Sequence, residues 1–419
     1  MESNTAALNE SPDNYVLGTT VFINNLKDNV AKIGEYVSRI DNDKEMTLVK
    51  KVQEHESDDA DVLVGLVEEG LPKLVGAPAI NYEQVYNQVF AVILEVPGER
   101  KDQLLLSVVN DLVANGRAEP CTLKVLSNLY NILSAHDGLR YNVFEAIVKV
   151  ASKVAGAISS VVPYISRLPS LFTEWRASAQ QQRQLFQLLW TIFQESDLHH
   201  EAYQVKLIYL KQLGVESDAK DMAAQVVGDW ARTEGLYDLD TLASLPAIQA
   251  LKDDATYGNV YALFSTLLSV TYNEWVETEA AKHAATLQQL GVEAEKLGDK
   301  IRALTIASLG AERLGQPISF AEIAEATQVP KDEIEGVIID TIQAGLIQAR
   351  MDQLNELVVV TRSTYRVFGE DQWQYLNTTL QGWKQALTDL LPVISNAKQQ
   401  ATHLYNLKST AGPAEPPSS

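Results

Sequence analysis

Between Lys300 and Arg362 the spacing of apolar residues switches from the period of a helix to that of a strand, and few small folds accommodate that switch. Ile301, Leu304, Thr305 and Leu309 recur at i, i+3, i+4 and i+8, one face of a first helix. Gly310 and the Gly315-Gln316-Pro317 run are expected to end it. Ser319-Phe320-Ala321-Glu322 has the form of a capping box, in which Ser319 accepts the Glu322 N–H and Glu322 reaches back to the Ser319 N–H. Phe320, Ile323, Ala324 and Thr327 line the short helix that follows. Pro330 suits the first turn of a third helix, because the N–H it lacks would be unpaired there. Ile334, Val337, Ile338, Thr341 and Ile342 form the buried stripe of that helix, and Gly345 stops it. Leu346 to Arg350 and Leu357 to Thr361 then read as strands joined by the polar loop Asp352 to Glu356. Three helices followed by a two-stranded hairpin is a winged-helix arrangement, assigned to residues 298–362.

Winged helices often read DNA with the third helix, and charge argues against that here. Residues Lys331 to Gly345 carry one basic side chain against Asp332, Glu333, Glu335 and Asp340. Duplex binding depends on basic groups neutralising phosphates, so this helix is repelled by DNA. Two readings remain for the unit: a protein-docking platform, or a cap on a larger helical domain. As a platform, Leu357, Val359, Arg362 and Arg366 are its candidate partner-binding residues.

The whole chain is acidic, with a net charge of −21, which disfavours nucleic acid and anionic membrane as partners of its overall field. Its hydrophobic content of 46% is that of a globular protein. Cys121 is the only cysteine, so no internal disulfide forms, in keeping with a reducing, cytoplasmic setting. The most apolar longer run, Ala151 to Ile165, is interrupted by Lys153 and Pro163 and does not span a bilayer.

Residues 1–80 form an amino-terminal segment, polar and expected to be disordered as far as Asn14 and partly helical beyond, with a dense mixed-charge stretch from Asp41 to Asp61. Residues 81–297 are helical in pattern almost throughout. Val85, Val89 and Val92 form one stripe, Leu105, Val108, Val109 and Leu112 the next, and Leu126, Leu129, Tyr130 and Leu133 a third. The connections are short and carry Gly, Pro or Asp-Gly, which makes successive helices antiparallel neighbours. The expected fold class is therefore mainly α: an α-solenoid of helix pairs with degenerate repeats, leading into the winged helix.

Beyond the wing, residues 363–407 are expected to form heptad helices. Trp373, Leu376, Leu380, Trp383, Leu387, Leu390, Ile394, Ala397, Ala401 and Leu404 alternate in steps of three and four, an a/d seam. Pro392 is expected to kink or split the helix. The half before Pro392 is expected to fold back on the body of the protein. In the half after it, Ile394, Ala397, Ala401 and Leu404 are candidate contacts in a bundle with other chains. Residues 408–419 read as a disordered tail.

Converging chemistry is not legible in the chain, and no catalytic, cofactor-binding or metal-ligating residue is assigned. Neither common phosphate-cradling glycine loop occurs, nor a Gly-x-Ser-x-Gly elbow. His199-His200-Glu201 lacks the i, i+4 spacing that sets two ligands on one helix face and reads as a solvated helix start. Cys121 has no basic neighbour except Lys124 and reads as a buried, inert thiol. Arg350, Arg362, Arg366 and Lys384 either meet an acidic or phosphate partner or offset local acidic charge.

A helical stack running into a winged helix is the layout of the PCI domain, found in scaffold subunits of the proteasome lid, the signalosome and translation initiation factor 3. The helix Lys300-Ile301-Arg302-Ala303-Leu304-Thr305-Ile306-Ala307-Ser308-Leu309 and the run Ile318-Ser319-Phe320-Ala321-Glu322-Ile323 resemble the initiation factor 3 branch of that family. So do Val358-Val359-Val360-Thr361-Arg362-Ser363-Thr364-Tyr365-Arg366-Val367-Phe368-Gly369 and the Trp373, Leu376, Leu380, Trp383 series, which separate it from the signalosome relatives. Gly310 stands where the family usually has alanine. The resemblance implies a non-catalytic scaffold subunit. Its partners would be the other initiation factor 3 subunits, of PCI and MPN type, and, through the assembled complex, the small ribosomal subunit, to which initiator tRNA and mRNA are recruited. Neither DNA nor membrane is an implied partner. The alternatives are a signalosome or proteasome-lid subunit, or an RNA-binding adaptor.

Overall fold

The structure is a computed structural model that describes residues 26–41, 43, 46–54, 60–74, 79–96, 98–115, 120–214 and 217–410. The reading for Met1 to Asn14 and that for residues 411–419 of the expected tail lie outside the described residues, while Lys408, Ser409 and Thr410, expected to be disordered, are helical. The chain divides into two compact units at Leu213/Gly214.

In the first unit, α1 (Leu26–Ile40), α2 (Thr47–Glu54) and α3 (Ala60–Leu74) pack on one another. They are followed by α4 (Ala79–Leu94), α5 (Glu99–Asn115), α6 (Pro120–Ile132) and α7 (Leu139–Ala151). Helix α4 packs on α6 and α5 on α7, so these helices meet their second neighbours, as stacked helix pairs do, and α6 also packs on its successor α7. The stripes seen in the sequence make one continuous core. Val30, Ile33 and Val37 of α1 join Leu71 and Leu74 of α3, then Val85, Val89 and Phe90 of α4, then Leu105, Leu126, Leu129 and Val143.

Beyond α7 a three-residue-per-turn segment, Ala157–Arg167, leads into α8 (Leu168–Glu174), α9 (Ala179–Glu195) and α10 (His199–Leu213). A chain of aromatic contacts fastens these helices. Tyr130, Phe144, Trp175, Phe172, Phe186, Tyr209 and Trp190 follow one another with ring centroids 5.1 to 6.2 Å apart. Cys121, expected to be buried, is half-buried in α6, at the edge of the core it packs against.

The second unit opens with α11 (Ser217–Arg232), two short turns, α12 (Asp240–Ala243) and α13 (Pro246–Gln249), and α14 (Gly258–Ser269). Leu239, Leu242, Leu245, Ile248 and Leu251 are all buried here. Their strict spacing of three fits tight turns better than a long α-helix. A π-helical turn at Trp275–Glu279, between α15 (Tyr272–Glu274) and α16 (Ala280–Lys282), buries Trp275 and leads through α17 (Ala284–Leu290) to the winged helix.

The winged helix comprises α18 (Ala294–Glu312), β1 (Pro317–Ser319), α19 (Phe320–Thr327), α20 (Ile334–Gln343), β2 (Ile347–Asp352) and β3 (Leu357–Ser363). The capping box forms as the sequence requires: the Glu322 N–H donates to Ser319 Oγ, and the Ser319 N–H donates to Glu322 Oε2. Pro330 precedes a single tight turn, Lys331–Glu333, that starts α20. Gly345 ends α20 at φ +74°, with the Gly345 N–H donating to Ile342 O and the Leu346 N–H to Thr341 O, a Schellman closure.

Two expectations are corrected in this unit. Gly310 does not end α18; it lies inside the helix, where the absence of a side chain lets β3 approach through Val360. The hairpin is a three-stranded sheet of order β1-β3-β2, because Pro317–Ser319 pairs antiparallel with β3. A three-residue strand that begins with proline leaves no alternating pattern to detect.

Finally, α21 runs unbroken from Glu370 to Thr410 with Pro392 inside it. The split expected at Pro392 does not occur: one missing N–H interrupts a single turn, and the turns on either side keep their own bonds.

Candidate docking surfaces

Helix α21 carries the first candidate surface. The half before Pro392 was expected to fold back, yet Trp373, Leu376, Leu380, Trp383, Leu387 and Leu390 are all exposed, Trp383 to 64%. The seam fails to fold back because nothing described elsewhere in the chain covers it. After Pro392, Ile394 is 62% exposed and Ala397 and Ala401 are exposed too; the Leu404 side chain lies outside the described residues. An a/d seam left open along a helix is the half of an interface that a coiled-coil or bundle partner completes.

The root of this helix is held firmly. The Thr364 N–H donates to Leu346 O at 2.9 Å, and Ser363 Oγ donates to Ala307 O at 2.6 Å. The Phe368 N–H donates to Asp240 Oδ1 at 3.2 Å, and Phe368 meets the Trp373 ring edge-on at 4.9 Å. Arg366 completes the anchor. It was grouped with the partner-binding residues, but only 9% of it is exposed. Its guanidinium donates to Val270 O and, at 3.2 Å, to Thr305 Oγ1. Burial holds it down to about 10, partly offset by Glu274. Arg366 thus serves the fold of its own unit; of the arginines grouped with it, Arg350 and Arg362 are exposed.

The wing carries the second candidate surface. Leu357 and Val359 are half-buried on β3, and Arg362 is exposed near its end. Strand β3 is the middle strand, hydrogen-bonded to β1 on one side and β2 on the other. Leu357 and Val359 are partly open to a partner, whereas Val358, Val360 and the strand's backbone are not. The outer edge of β2 is the longer free edge of the sheet, and an exposed edge is a natural site for an added strand.

Sequence reasoning missed Lys300. It is 4% exposed, donates through Nζ to Trp230 O near the end of α11, and lies 4.4 Å from the centroid of the Trp230 ring. Burial pushes it down to about 7, with Glu234 working the other way. A cavity of about 440 Å³ lined by Lys300, Glu234, Tyr237 and Asp340 opens beside it. The lysine belongs to a helix whose pattern is explained without it, so no spacing rule marks it.

No group of three or more His, Cys, Asp or Glu side chains among the described residues is arranged to hold a metal ion. Among the same residues no helix is long and apolar enough to cross a membrane.

Comparison with known proteins agrees with this architecture. The PCI domain family model matches residues 280–362, the winged helix and its approach. A second family model, the C-terminal helix of eIF3 subunit M, matches residues 366–394, the root and first half of α21. The winged helix and these matches mark residues 280–362 as similar to a PCI domain. Among proteins with such a domain the chain resembles subunit M of eukaryotic translation initiation factor 3. The subunit M of Dictyostelium discoideum is 29% identical over 324 residues, covering 76% of this chain and 80% of its own length. That of Emericella nidulans is 27% identical over 381 residues, covering 84% and 82%. That of Neosartorya fischeri is 28% identical over 355 residues, covering 80% and 75%.

Proposed function

We propose that the chain is a non-catalytic scaffold subunit of translation initiation factor 3 in the cytoplasm, which joins its neighbours through α21 and the wing. The observation that carries the reading is the open heptad seam of α21, in the segment that matches the C-terminal helix of subunit M. Its partners on this reading are the PCI and MPN subunits of the factor. The complex they build binds the small ribosomal subunit and recruits initiator tRNA and mRNA. Residues 81–297 supply the helical stack, residues 298–362 the docking wing, and residues 363–407 the bundle helix, with Ile394, Ala397, Ala401 and Leu404 as its later contacts.

Gentle affinity purification of the tagged chain, with mass spectrometry, tests this. The other subunits of the factor in near-equal amounts, with small-subunit ribosomal proteins, are the expected result. Signalosome or proteasome-lid subunits in their place overturn it. Leu387→Asp with Ile394→Asp, both exposed, is expected to release the chain from the complex without unfolding it. Assembly unchanged by that pair removes α21 from the interface.

A further inference from the structure

The tip of the wing presents one apolar side chain on a rigid base. Leu354, between β2 and β3, is 92% exposed, the most exposed of the large apolar side chains described. The loop beneath it is fastened at every position. The Asn355 N–H donates to Asp352 Oδ1 at 3.2 Å, and Asn355 Nδ2 donates to Asp352 Oδ2 at 2.8 Å. Glu356 takes a left-handed φ of 51°, and its carbonyl accepts the Phe320 N–H at 2.9 Å. Gln353 Nε2 donates to Glu335 Oε2 at 3.2 Å, which ties the loop to the start of α20, and Lys331 reaches Glu356 at 3.4 Å. A loop so held has less backbone conformational entropy to lose when its leucine enters a cleft, which favours binding.

The loop itself carries Asp352 and Glu356, and its contacts reach Glu335 and Lys331 at the start of α20, where the same turn also holds the exposed Asp332 and Glu333. Hydrogen bonds from Asn355 hold the Asp352 carboxyl below its usual range. Ile339, one turn beyond Glu335 on the same face of α20, is exposed as well. Arg350 lies further down β2, on the opposite face of the strand from Met351.

We infer that Leu354 and the carboxylates at the start of α20 dock a protein surface that offers a small apolar cleft ringed by lysine or arginine side chains. In many winged helices the third helix and wing face nucleic acid; here their charge reverses the choice of partner, since phosphates are repelled where cationic side chains are attracted. A second copy of the chain is disfavoured for the same reason, because each copy carries −21 and would bring the same carboxylates to the contact. The inference deepens the docking role proposed for the wing, at a surface separate from the α21 seam.

The test is site-specific photo-crosslinking of the full chain in its own cells, with benzoylphenylalanine encoded at position 354 and, as a control, at exposed position 383. An adduct at 354 to a lysine- or arginine-rich protein segment is expected. Asp332→Asn with Glu333→Gln is expected to cut its yield about tenfold. An adduct at 383 with none at 354 overturns the inference, as does an adduct at 354 to RNA, to an acidic segment or to a second copy. Co-purifying subunits report on the scaffold reading separately, so either can fail alone.

Discussion

Gly310 and Val360 meet so closely that a Cβ built on the glycine would lie 3.1 Å from both valine methyl groups. This contact brings α18 down onto the middle strand of the sheet, and Val360 is buried there. Alanine at 310 gains about 1 kcal/mol of helix propensity and must push Val360 aside, so the two effects nearly cancel. Gly310→Leu has no such compensation and is expected to lower stability by about 2 to 3 kcal/mol, with roughly half recovered in Gly310→Leu/Val360→Ala. Urea midpoints of the three variants check this; equal midpoints would mean that the helix and sheet part easily.

Arg366 gives the sharpest contrast between position in sequence and role in structure. Removing it leaves the Val270 carbonyl without its donor and opens a hole under the root of α21. Arg366→Ala is expected to cost about 1 to 3 kcal/mol, the range for leaving a buried polar group without its partner. Arg366→Lys should recover little of that, because a single ammonium does not fork between Val270 O and Thr305 Oγ1. Hydrogen exchange over residues 364–372 is the readout; unchanged protection in Arg366→Ala would return the residue to the list of surface contacts.

Lys300 links stability to pH with a sign that can be worked out. Its folded value near 7 lies below the 10.5 of the free side chain. Between those values the unfolded chain holds a proton that the folded chain does not. Stability therefore rises with pH across that window, by roughly 1.4 kcal/mol per unit at the steepest, and the gain is lost as pH falls to 7. Lys300→Met should abolish this slope and be the more stable protein near pH 7. Unfolding midpoints of both proteins at pH 7, 8 and 9 decide it; parallel curves would show that Lys300 keeps its proton throughout.

Pro392 sets a weak point in α21. It removes one N–H from the helix interior, and proline there costs about 3 kcal/mol relative to alanine. Pro392→Ala is expected to raise amide protection over residues 388–396. If protection is unchanged, the turn is already held by something other than its own backbone.

The sequence was legible wherever a residue's role follows from local repetition. The three helices of the wing, the capping box at Ser319 and Glu322 and the glycine stop at Gly345 needed only spacing and turn chemistry. The seam of α21 was legible as a seam, because heptads advertise themselves, but its exposure was not. Whether Trp373 and Trp383 are covered depends on surfaces hundreds of positions away. Arg366 and Lys300 escaped for a related reason: an isolated cation in an amphipathic pattern looks solvated until the fold brings Val270 or Trp230 to it. β1 escaped because its three residues acquire strand geometry only from the partner strand.

The open seam of α21 also bears on supply. At 1.5 Å per residue the helix is roughly 60 Å long, and its leucines, tryptophans and isoleucine face water until a partner arrives. Such a surface invites misassociation and proteolysis. On the scaffold reading, copies made in excess of their partners would be open to removal through the same residues that secure the copies that find them.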